Sequence, residues 1–200
     1  YPVYATIAAG HGGTGRRDDF KNDERIVGKD THIFLHFPQF QTEFDKASAP
    51  ADGLLISVYD YFGLSENLGR MFDVVRQSVP NIDFMRSCIG GFSNGAHACG
   101  ALLTMRDERI MPYFKNIILL EGGVYQACDW FSPAYRDKNI LMMQGQYCYG
   151  AEGLSRNRCD EMFVMSGKAG VNLSRILMWD VGHSFGREHP SAVKKWLRAV

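Results

Sequence analysis

The chain has 200 residues, 46% of them hydrophobic, which suits a single domain over residues 1–200 built around one core. Twenty-two basic residues cancel 22 acidic ones, so the basic footprint of a nucleic-acid binder and an acidic tail are both excluded. No apolar run approaches the ~18 residues of a membrane span, no signal peptide is visible, and the start at Tyr1 reads as processed or trimmed.

Short apolar runs alternate with helical patterns. The expected strands, in chain order, are VYATIAA (3–9), GLLISVY (53–59), RSCIGG (86–91), NIILLE (116–121), ILMMQ (140–144) and RILMWD (175–180). Each is continuously apolar rather than alternating, as strands buried on both faces are. The fold class this predicts is α/β, a mostly parallel sheet of about six strands flanked by helices. The charged stretch 16–31 reads as a solvated face or loop, and HIFLHFPQF (32–40) as either a further strand or an aromatic wall. Leu68, Met71, Phe72, Val75 and Val79 share one helical face, with Ser65 as N-cap and Pro80 as the stop. Val193, Trp196, Leu197 and Val200 do the same near the C-terminus.

The five cysteines show no recognised metal spacing, so no metal is expected. Cys88 and Cys99 read as buried thiols. Cys148 and Cys159 flank a polar loop. A disulfide between them would suit a secreted or periplasmic protein, and reduced thiols a cytoplasmic one.

Between the third strand and a small-residue helix stands GGFSNGAH, in which Gly91, Ser93 and Gly95 spell G-x-S-x-G. That strand–turn–helix setting makes Ser93 a candidate nucleophile, and the helix N-terminus favours negative charge developing beside it. An ordinary glycine-rich turn is the competing reading. A serine hydroxyl needs a base. Of six histidines, His183 in WDVGHSFG follows the last expected strand and falls on the sheet edge where Ser93 must lie. A surface histidine is its alternative. His97 lies inside the helix and is expected to point away, while His32, His36 and His189 lack a comparable setting. Gly12 and Gly13 in AAGHGGTG (8–15), with the N–H of Asn94, are candidate oxyanion donors, and HFP (36–38) is a second candidate for that loop.

HGGTGRRDDF together with GGFSNGAH resembles the oxyanion loop and elbow of the α/β-hydrolase fold family, in its polyhydroxybutyrate-depolymerase and feruloyl-esterase-like branch. The resemblance implies a serine hydrolase cleaving carboxylic esters through a Ser–His–acid triad, with no cofactor. The substrate would be a small-molecule or polymer-linked ester, and nothing in the sequence sets an oligomeric state. Most members carry the acid as G-x-x-D after the strand before the last. Here that stretch is QGQYCYG, with Cys148 in the acid's place. A minority of the fold, including haloalkane dehalogenases and pancreatic-type lipases, carries the acid one strand earlier. That points to Glu121, whose carboxylate at the end of an apolar run needs a partner such as an imidazole N–H. Its alternative role is to bond nearby backbone. Asp160 is the alternative acid, followed by Glu152, Asp129 and Asp180. A binding module that has lost its acid, or an acyltransferase on the same residues, are the competing functions. GVYQACDWFSPAYRDK (123–138) leaves no length for a large lid, and its Tyr125, Trp130, Phe131 and Tyr135 either line an open cleft or cover the sheet.

Overall fold

The computed structural model describes residues 2–7, 33–37, 58–104, 106–123, 135–148 and 154–200. Six strands form one sheet: β1 (Val3–Ile7), β2 (Ile33–Phe37), β3 (Cys88–Phe92), β4 (Asn116–Leu120), β5 (Asn139–Tyr147) and β6 (Asn172–Gly182). Their spatial order is β2-β1-β3-β4-β5-β6, and every pairing is parallel. The helices are α1 (Val58–Ser78), α2 (Asn94–Thr104), α3 (Leu154–Ala169) and α4 (Glu188–Ala199).

The continuous apolar runs are explained by two cores. Side chains alternate across a strand, so Ile117 and Leu119 of β4 face one cluster while Ile118 and Leu120 face the other. Ile140 and Met142 of β5 divide from Leu141 and Met143 in the same way. Leu68 and Phe72 of α1, Leu102 of α2 and Met162 of α3 pack on the first face. Val193 and Trp196 of α4 pack on the second.

Two expectations about elements need correction, and one open alternative is decided in part. The stretch 53–59 was expected to be a strand, but Val58 and Tyr59 open α1, and residues 53–57 lie outside the described residues. Ser65 is no N-cap. It sits inside α1, buried, with its hydroxyl hydrogen-bonded to the Asp107 carboxylate. Within the open stretch 32–40, Ile33–Phe37 is strand and pairs along the whole of β1. Helix α1 ends at Ser78, two residues before Pro80, because a proline cannot continue the backbone ladder.

Candidate active site

β3 ends at Phe92, α2 begins at Asn94, and Ser93 alone makes the turn between them. Its φ of 55° is the left-handed region that costs a residue with a Cβ. The neighbours hold it there. Its N–H donates to the Leu120 carbonyl at 2.9 Å, and its own carbonyl accepts the His97 N–H at 3.0 Å. The turn is too tight for side chains. A Cβ on Gly91 would stand 2.4 Å from the Gly95 carbonyl carbon, and one on Gly122 2.6 Å from the Ser93 oxygen.

The four adjacent strands β3, β4, β5 and β6 each deliver one residue past their C-terminal ends: Ser93, Glu121, Cys148 and His183. The His183 Nε2 lies 2.8 Å from the Ser93 Oγ. Its Nδ1 lies 3.2 Å from the Cys148 Sγ. The ligating atoms of Glu121, Cys148 and His183 all lie within 4.8 Å of one another. If Nε2 accepts the serine O–H, the ring's single proton is on Nδ1 and is donated toward sulfur. The ring stacks on Phe92, with centroids 5.2 Å apart and planes at 30°. Burial lowers the His183 pKa, and the nearby Glu121 charge opposes that fall.

Glu121 is fully buried and has a φ of 52°. Its N–H donates to the Met143 carbonyl at 2.9 Å, which fixes the turn after β4. The equally buried His189 presents Nε2 at 3.3 Å from the Glu121 Oε1. His189 Nδ1 accepts the Gly186 N–H at 3.0 Å, so a neutral ring carries its proton on Nε2, the nitrogen nearer the carboxylate. Its ring stacks on Phe185 at 4.9 Å. The sequence had offered His189 no setting. The only signal was its place one helical turn before Val193, on the apolar face of α4.

Of the other expected site residues, Asn94 opens α2, so its backbone N–H is among those a helix leaves without an internal partner. Gly12, Gly13, Glu152 and Asp129 lie outside the described residues, as do Tyr125, Trp130 and Phe131. Asp160 pairs with Arg175 between α3 and β6. Tyr135 is buried and donates its hydroxyl to the Leu103 carbonyl at 2.8 Å, so it covers the sheet rather than lining a cleft. His97 is buried too, and its Nδ1 accepts the Gly123 N–H at 3.1 Å. Burial, and then the neighbouring His183, hold its pKa down at about 4. The Cys148–Cys159 disulfide, one of the two alternatives the sequence left open, is not formed. Both residues are thiols, Cys148 at the His183 ring and Cys159 on the buried face of α3.

No protein-family model matches the chain, and no curated protein sequence does. Solved structures do. A carboxylesterase from Bacillus cereus matches with TM-score 0.64 at 14% identity, over 99% of this chain and 87% of that one. SOBER1 from Arabidopsis thaliana matches with TM-score 0.67 at 12% identity, over 99% and 98%. A phospholipase/carboxylesterase from Dyadobacter fermentans matches with TM-score 0.63 at 13% identity, over 98% and 89%. Together with the parallel sheet and the residues at its C-terminal edge, these matches give the chain the α/β-hydrolase fold.

Proposed function

We propose that the protein is a serine hydrolase that cleaves carboxylic esters through an acyl-enzyme. The observation that carries this reading is the 2.8 Å contact between Ser93 Oγ and His183 Nε2, with the serine held at a φ of 55° after a buried strand. Ser93 attacks the ester carbonyl while His183 takes its proton. The Asn94 N–H, with those of Gly12 and Gly13, receives the negative charge on the carbonyl oxygen. His183 then gives its proton to the leaving alcohol, and water releases the acid by the same steps reversed. Glu121 is the acid. Its buried charge favours the imidazolium that forms in each step, and the Glu121 influence on the His183 pKa has that sign. The reaction needs no cofactor. The carboxylesterase names of the matched structures, and the likeness of HGGTGRRDDF and GGFSNGAH to the polyhydroxybutyrate-depolymerase and feruloyl-esterase-like branch, support a small-molecule or polymer-linked ester as substrate.

One observation favours a second reading, a binding module without catalysis: among the described residues, the group placed 3.2 Å from His183 Nδ1 is the Cys148 thiol. Ser93→Ala separates the two. On the hydrolase reading it lowers kcat on p-nitrophenyl acetate by about 10⁴-fold or more while the chain stays folded. A rate within tenfold of the parent rules Ser93 out as the nucleophile.

A further inference from the structure

A thiol, a carboxylate and an imidazole converge behind the Ser93–His183 pair, and an ester hydrolase uses only two of them. We propose that Glu121, Cys148 and His183 form a binding site for a borderline-soft divalent cation of the zinc and cadmium class, and that the cation switches the serine off. The switching part rests on the hydrolase reading above; the binding part does not.

Geometry and donor chemistry both support the site. The three ligating atoms lie within 4.8 Å of one another, and Cys148 Sγ to His183 Nδ1 is 3.2 Å. Zinc bonds of about 2.3 Å to sulfur and about 2.0–2.1 Å to nitrogen, set at a tetrahedral angle, hold those two atoms about 3.5 Å apart. For that pair, insertion of the ion asks for a shift of a few tenths of an ångström, while the Glu121 oxygen, within 4.8 Å of the other two ligand atoms, has up to about 1 Å further to close. A thiolate and an imidazole select zinc or cadmium over magnesium or calcium, which prefer oxygen. Thiolate and carboxylate together neutralise a dication in a place where Cys148 and Glu121 are fully buried. His189 Nε2 stands 3.3 Å from Glu121 Oε1, near enough to become the outer donor that a metal-bound carboxylate takes. Of the other described thiols, burial pushes Cys99 and Cys159 up to about 12, so neither readily supplies a thiolate.

Binding has a defined consequence for protons. The Cys148 thiol releases its proton to solvent as sulfur bonds the metal. The metal takes the His183 Nδ1 lone pair, and the one proton of the neutral ring moves to Nε2. An Nε2–H cannot accept the Ser93 proton, so the base is lost while the nucleophile and the donors stay in place. The ligands come from the ends of β4, β5 and β6, separated by 27 and 35 residues, which is why no ligand spacing appears in the sequence.

The test is a cadmium titration of the whole chain, followed by the ultraviolet thiolate-to-cadmium absorption, with zinc affinity from calorimetry. One equivalent should bind. The absorption should persist in Ser93→Ala, which binds metal whether or not the protein is a hydrolase, and vanish in Cys148→Ser. Zinc affinity should fall by about tenfold or more in His183→Ala, and because the His183 side chain is exposed this variant keeps the test alive if the buried Cys148 change unfolds the chain. In the parent, zinc should slow fluorophosphonate labelling of Ser93, and a chelator should restore it. No absorption, absorption that survives Cys148→Ser, or affinity indifferent to His183→Ala overturns the site. Labelling of Ser93 that saturating zinc leaves unchanged overturns the switch. A parent that takes no probe even with chelator overturns the hydrolase reading and the switch together, and does so without touching the absorption result.

Discussion

Glu121 carries the sharpest question at the level of single residues, because a carboxylate without solvent is costly unless other groups compensate it. His189 Nε2 stands 3.3 Å from its Oε1, and the Cys148 and His183 ligand atoms lie within 4.8 Å. The rival, Asp160, is tied to Arg175 away from the histidine. Glu121→Gln should therefore lower kcat by about 10³ to 10⁴-fold, with the melting temperature close to the parent. Asp160→Asn should leave both nearly unchanged. The reverse ranking in the same esterase assay would transfer the acid's role to Asp160. Ser93 and His183 were legible in the sequence because their signals are local: glycines two places either side of a serine, and a histidine just past a strand. The Cys148 contact was legible only as a missing carboxylate. His189 was not legible at all, since its part depends on which ring nitrogen the Gly186 N–H occupies and on how α4 docks.

At the scale of elements, helix α2 does two things at once. It begins at Asn94 directly after Ser93, and its buried His97 ties the turn after β4 to the helix by accepting the Gly123 N–H. Gly123 has a φ of 79°, and a Cβ there would meet the Ala96 oxygen at 3.1 Å, so the helix and that turn approach closely. The His97 pKa of about 4 in the fold, against 6.5 for an ordinary histidine, makes this contact pH-sensitive. An unfolded chain takes up the proton below 6.5, whereas the folded one resists until about 4. The stabilisation is thus fully present above pH 6.5 and is lost as pH falls toward 4, by about 3 kcal/mol in total. Denaturant midpoints measured at neutral pH and near the lower end of that window should show His97→Gln losing less stability than the parent. Equal losses would mean that His97 titrates like an exposed ring. Element identity was readable where runs were continuous and apolar, as in β1 and β3 to β6. It failed at Val58 and Tyr59, which open a helix: two β-favouring residues at the end of an apolar run do not show in the sequence where α1 begins.

For the molecule as a whole, the order β2-β1-β3-β4-β5-β6 does the work of assembly. It sets Ser93, Glu121, Cys148 and His183 side by side on one edge, although 90 residues separate the serine from the histidine. A parallel sheet could be inferred from unbroken apolar runs, but the neighbour relations could not, because they arise from crossovers that leave no pattern in any one segment. The departure at QGQYCYG also has its cause at this scale. β5 and β6 run so close that a Cβ on Gly145 would meet the Val181 oxygen at 2.5 Å. That closeness brings Cys148 to the ring of His183, while the charge of Glu121, at the end of the next strand over, opposes the fall in the His183 pKa. The central claim is that this edge makes Ser93 a nucleophile through His183. The most direct measurement is intact-mass analysis of the chain treated with a fluorophosphonate probe. One adduct per chain should form, mapped to Ser93, absent in Ser93→Ala and formed about 10³-fold or more slowly in His183→Ala. No adduct, an adduct on another residue, or labelling of Ser93 at the parent rate without His183 would contradict it.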